Sequence, residues 1–134
     1  MCTTRLFLRP EHGSLSAGLL ELMDELAAVC SSTVVIRRSQ GYGLQINAWD
    51  RELETQDSVE SDLSTLSQLL REGGEAFDWL AADLPAVRIR FGLHDSTFLF
   101  IEGPTDTVQR VAAVSGFEVV GPDGGALVAW ASGT

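Results

Sequence analysis

The chain contains no lysine, so all nine of its cations are arginines, set against nineteen Asp and Glu for a formal net charge of −10. The absence excludes a phosphate-binding loop ending in Gly-Lys-Ser/Thr, Schiff-base chemistry and a lysine general base. A shortage of cations also argues against general nucleic-acid binding, because displacing phosphate counterions needs clustered Lys and Arg. Cysteine is scarce as well. Cys2 and Cys30 are too few for a disulfide framework, and neither has a Cys-x-x-Cys partner. No apolar run reaches the roughly 18 residues that a spanning helix needs, so no membrane association is expected. Leu26-Ala27-Ala28-Val29 before Cys30 has the outline of a lipoprotein cleavage site, but Glu21, Asp24 and Glu25 occupy what would be its apolar core. The expectation is a cytoplasmic protein with two free thiols, Cys30 lying on the apolar side of a helix.

Catalytic and metal-binding signatures are missing too. No Gly-x-Ser-x-Gly, His-Glu-x-x-His, paired-glycine nucleotide fingerprint or metal-ligand cluster occurs. His12 and His94 are the only histidines, both expected in polar turns. Adjacent residues such as His94-Asp95-Ser96 cannot adopt the relay geometry of a catalytic triad. Asp50-x-Glu52-x-Glu54 opens like a calcium loop. It then places Thr55 where glycine is required and Ser61 where a bidentate Glu is required. No enzyme activity, metal or cofactor is therefore expected.

What is present reads as one domain, 1–134, at about 150 residues per domain. Its 45% hydrophobic and 21% charged residues are ordinary for a globular chain. Thr4–Arg9 alternates and stops at Pro10, the pattern of a strand. Leu19, Leu22, Met23, Leu26 and Cys30 recur at helical spacing after Ser14 or Ser16, either of which can cap the helix. Val34–Arg38 and Leu44–Trp49 read as strands around a five-residue loop holding Gly41 and Gly43. Asp57 with Glu60 resembles a capping box. Val59, Leu63, Leu66 and Leu70 then share a helical stripe that Phe77, Leu80 and Leu84 extend, with a break or kink expected at Gly73-Gly74. A second hairpin is expected from Val87–Leu93 and Thr97–Glu102. A helix over Pro104–Ser115 and paired strands Phe117–Val120 and Ala126–Trp130 complete the chain.

The order strand–helix–strand–strand occurs twice, which predicts an α+β fold. Two βαββ-like units (1–49 and 86–131) would form a mainly antiparallel sheet with helices packed on one face, around an acidic helical insert at 50–84.

Charge is unevenly placed. Residues 50–83 carry ten acids against Arg51 and Arg71, net −8, whereas residues 1–49 are neutral overall. Asp50, Glu52, Glu54, Asp57, Glu60 and Asp62, with Glu72, Glu75 and Asp78, are thus candidates for docking a cationic partner, with Trp49 and Tyr42 as aromatic anchors. The plain alternative is a solvated helix face. Arg5, Arg9, Arg88 and Arg90 fall opposite the apolar phase of their strands and would line the sheet face away from the helices, either in salt bridges or as an anion pocket.

In size, composition and acidic central segment the chain resembles the small acidic immunity proteins with which bacteria neutralise toxins. The resemblance implies a non-catalytic cytoplasmic inhibitor, monomeric or homodimeric, that covers the active site of a cationic cognate toxin with its acidic surface. A different class of reading is a small regulatory domain that binds an anionic metabolite on the arginine-lined face.

Overall fold

A computed structural model describes residues 3–10, 14–29, 33–72, 75–94, 98–113 and 117–121. Among them the chain order is β1 (Thr3–Pro10), α1 (Leu15–Val29), β2 (Thr33–Tyr42), α2 (Leu44–Leu53), β3 (Val59–Asp62), α3 (Leu63–Arg71), β4 (Ala76–Leu84), β5 (Ile89–His94), β6 (Phe98–Pro104), α4 (Thr105–Ala112) and β7 (Phe117–Gly121). The strands form one sheet in the order β3-β2-β4-β5-β6-β1-β7, with every pairing antiparallel. The α+β class and the antiparallel sheet agree with the sequence reading.

The core lies on one face of that sheet because a strand sends alternate side chains to opposite sides. Leu6 and Leu8 of β1, Leu99 and Ile101 of β6, and Ile89, Phe91 and Leu93 of β5 share one phase. Leu80, Ala82 and Leu84 of β4 continue it. Against them pack Leu19, Leu22, Met23 and Leu26 of α1, Ile46 and Trp49 of α2, Leu63 and Leu66 of α3, and Val108 and Val111 of α4. All four helices therefore cover the same face. Each fully buried leucine or phenylalanine there contributes about 1.5–3 kcal/mol of transfer free energy.

Several expectations from the sequence are corrected. Leu44–Trp49, expected as a strand, begins helix α2, so the first unit is not βαββ. The Asp57–Glu60 capping box does not form, because Val59–Asp62 is strand β3. The cap of α3 is instead Asp62, whose Oδ1 accepts a 2.7 Å hydrogen bond from the Thr65 N–H. Phe77, Leu80 and Leu84 do not continue that helix but belong to β4, so the presumed helical insert supplies two strands of the sheet. Gly73-Gly74, Cys2, Cys30, His12 and the expected strand Ala126–Trp130 with Trp130 lie outside the described residues.

Candidate functional site

The predicted acidic set does not form one surface; the structure divides it. Its largest part runs through α2 and β3. Asp50 is half-buried, while Glu52, Glu54, Asp57 and Glu60 are exposed. Among the described residues no ion pair engages any of these five. Arg51 is the one cation in the stretch. This segment borders the sheet, since β3 pairs with β2 and has no other described neighbour. Short edge strands that carry charge resist pairing with another chain, which accounts for Glu60 structurally.

A second part sits at the two ends of α3, starting from Asp62, the last residue of β3. Asp62 and Glu72 flank that helix along a groove of about 820 Å³ against α1, which Arg71 bridges by donating two 2.8 Å hydrogen bonds to Asp24. Asp62 is occupied as the cap, and Glu72 accepts a hydrogen bond from Gln68. Both have structural partners.

The third part surrounds the junction of β2 and α2. Gly41 and Gly43 hold φ of +158° and +122°. A Cβ on Gly41 would come within 2.2 Å of the Ala76 carbonyl oxygen, so the sharp passage from strand to helix requires glycine there. Helix α2 has no capping side chain of its own. Half-buried Glu75 supplies one from across the junction, its Oε1 accepting a 2.8 Å hydrogen bond from the Ile46 N–H. Beside it Tyr42 is 62% exposed and Leu44 89% exposed, the two large apolar side chains left in solvent among the described residues. Leu44 was not singled out by sequence reasoning, which read Leu44–Trp49 as a strand. Asp78 is exposed on β4 nearby, at the point where the β2–β4 register shifts.

Trp49 is not a surface anchor. It is 5% exposed and stacks parallel to Phe77 at 6.4 Å, fastening α2 to β4. On the same helix, Asp50 approaches Ser39 of β2. Burial raises the Asp50 pKa above its ordinary 3.8, Ser39 opposes the shift and Glu54 adds to it. Neither Ser39 Oγ nor Asp50 Oδ1 closes a hydrogen bond of ordinary length. A half-buried carboxylate with one oxygen unsatisfied costs stability.

The opposite face, on which no described helix packs, carries arginines, and three ion pairs join them to carboxylates there. Arg5 bonds Glu102 at 2.6 Å. Arg90 donates to both oxygens of Asp83, at 2.6 and 3.2 Å. Arg37, bulged out of register on β2, donates to the same carboxylate at 3.0 Å. Burial alone would raise the Asp83 pKa, but hydrogen bonds from Arg90 and then Arg37 outweigh it and hold the carboxyl below its ordinary 3.8. A row of rings runs beside this ladder. Arg38 lies 3.6 Å over Trp79, Trp79 is 4.0 Å from His94, and His94 stacks on Phe98 at 5.3 Å. His94 is thus a 2% exposed strand residue and not the turn residue expected, and Arg88 sits in the turn before β5 and not in a strand.

No three His, Cys, Asp or Glu side chains among the described residues gather where they could hold a metal ion, and no described helix is long and apolar enough to cross a membrane. No family model, curated protein or solved structure matches the chain.

Proposed function

We propose that the protein is a non-catalytic binding protein of the immunity type, which docks a cationic toxin or comparable effector enzyme through the α2–β3 edge and obstructs its active site. One observation carries the reading: Asp50, Glu52, Glu54, Asp57 and Glu60 form a run of carboxylates that no described ion pair engages, whereas Asp24, Asp62, Glu75, Asp83 and Glu102 are each tied to a guanidinium or a helix terminus. Carboxylates left unpaired on an edge raise the association rate with a positive partner and can take the places of substrate phosphates or carboxylates in its active site. Tyr42 and Leu44, at the start of the same helix, add apolar contact that charge alone does not supply.

The test is affinity capture from native lysate at low salt, followed by expression of the captured protein alone and beside this chain. A cationic partner that harms cells alone and is harmless in company supports the reading. Charge reversal (Glu52→Arg, Glu54→Arg, Asp57→Arg) should then slow association at least about tenfold and flatten its salt dependence. Unchanged capture and protection by that variant would leave the acidic edge as a solvated surface only.

A further inference from the structure

A second site, independent of the docking reading, lies where the charge ladder reaches the end of the sheet. A groove of about 590 Å³ opens there, walled by Arg37, Asp83, Arg88, Ile89, Arg90 and Glu102. That volume is in the range of small-molecule sites. Around it three guanidiniums meet two carboxylates, an excess of positive charge in a chain whose net charge is −10. The donors are also incompletely used. Arg37 hydrogen-bonds Asp83 through Nε, and among the described residues its two terminal nitrogens have no acceptor. Arg90 engages Asp83 through Nε and Nη2, leaving Nη1.

Backbone geometry adds a separate observation. Arg88 has φ of +58°, and among the described residues it is the one non-glycine residue in the left-handed region. Glycine or asparagine takes that conformation at little cost, and a long charged side chain does not. Backbone strain of this kind collects at ligand sites, where the surrounding structure holds a side chain in a needed place. The strained turn puts an arginine at the mouth of a groove that already presents two others.

We propose that this groove binds a small multivalent anion bearing phosphate or carboxylate groups. Arg37 and Arg90 supply the contacts through the nitrogens that Asp83 leaves unused, and Asp83 acts as a positioning residue that holds the two forks side by side. Planar guanidinium forks match the paired oxygens of both anion types. At about 0.15 M salt the field of the acidic edge is screened beyond roughly 8 Å and does not repel such a ligand.

Calorimetric titration of the full chain with pyrophosphate, and separately with citrate, tests the site, with sodium chloride at matched ionic strength as control. Saturable one-to-one binding of either anion is expected, and the better of the two identifies the ligand type. Arg37→Gln should weaken it at least about tenfold by removing one fork. Arg90→Gln should do the same when titrated well below its own melting temperature, so that lost binding there is not lost folding. Heat that does not saturate, or that chloride reproduces, overturns the proposal. Full affinity in both variants does so too.

Discussion

The two charged regions of this protein use the same residue types to opposite ends. On the face where no described helix packs, each described ion pair spans neighbouring strands: Arg5 with Glu102, and Arg90 and Arg37 with Asp83. Opposite charges alternate across the sheet, the cross-strand pairing that stabilises antiparallel ladders. Along α2 and β3 the carboxylates are exposed or half-buried, with Arg51 the one cation among them. One region is built for the fold. The other adds nothing to folding that its charges explain, which makes it the better candidate for contact with something else. The lesson concerns counting: a net charge of −10 says little until the paired carboxylates are subtracted.

The acidic edge depends most on the packing beneath α2. Trp49→Ala should cost about 3–5 kcal/mol in urea denaturation, because it empties a large core site and releases α2, and the acidic edge it carries, from Phe77. A loss below 1 kcal/mol would mean that α2 is not held by this contact.

Asp83→Asn should cost about 1–2 kcal/mol at neutral pH, since two guanidiniums lose their shared carboxylate and their own exposure screens part of the loss. The sign with pH follows from the depressed value of Asp83. Its contribution is present above the unfolded value near 3.8 and is lost as pH falls through the lower folded value. The gap between variant and parent should therefore close in acid. A gap that persists at low pH would rule out the ion pairs as its cause.

Asp50→Asn should act in the opposite direction. The folded pKa of Asp50 lies above 3.8, so its ionisation burdens the folded state at neutral pH, and that burden lifts as pH falls through the folded value. Thermal melts should show the variant more stable than the parent at pH 7 and equal to it near pH 3. A variant less stable at pH 7 would show that the carboxylate has a partner in solution. The smallest effect is expected from Glu52→Arg, Glu54→Arg and Asp57→Arg together, within about 0.5 kcal/mol of the parent or slightly above it. A large loss there would place these carboxylates in the fold after all.

Much of the architecture was legible in the chain. Strand β1, helix α1, the β5–β6 hairpin, α4 and β7 fall where alternation, caps and glycine signals put them. Three segments were misread, β3, β4 and the start of α2, and in the last two the apolar spacing misleads. In β4 the inward residues are Phe77, Leu80, Ala82 and Leu84, and the β2–β4 register shifts where Asp78 intervenes. A β-bulge adds one residue to an alternating strand and so produces the spacing of three that a helix shows. Leu44–Trp49 failed the other way. Its apolar letters nearly alternate, yet Ile46 and Trp49 are buried at helical spacing while Leu44 is exposed. Of the site, the acidic run itself was visible, but not which acids are free. Asp62 and Glu75 serve helix starts, one adjacent in sequence and the other brought in from the residue before β4.

By itself the sequence determined the class of fold, the missing lysine chemistry and the concentration of acid between Asp50 and Asp83, because these depend on composition and local periodicity. Only the tertiary structure decided which of those acids are neutralised. Ion pairing and helix capping join residues as far apart as Arg37 and Asp83 or Ile46 and Glu75, and strand order alone brings such partners within a few ångströms.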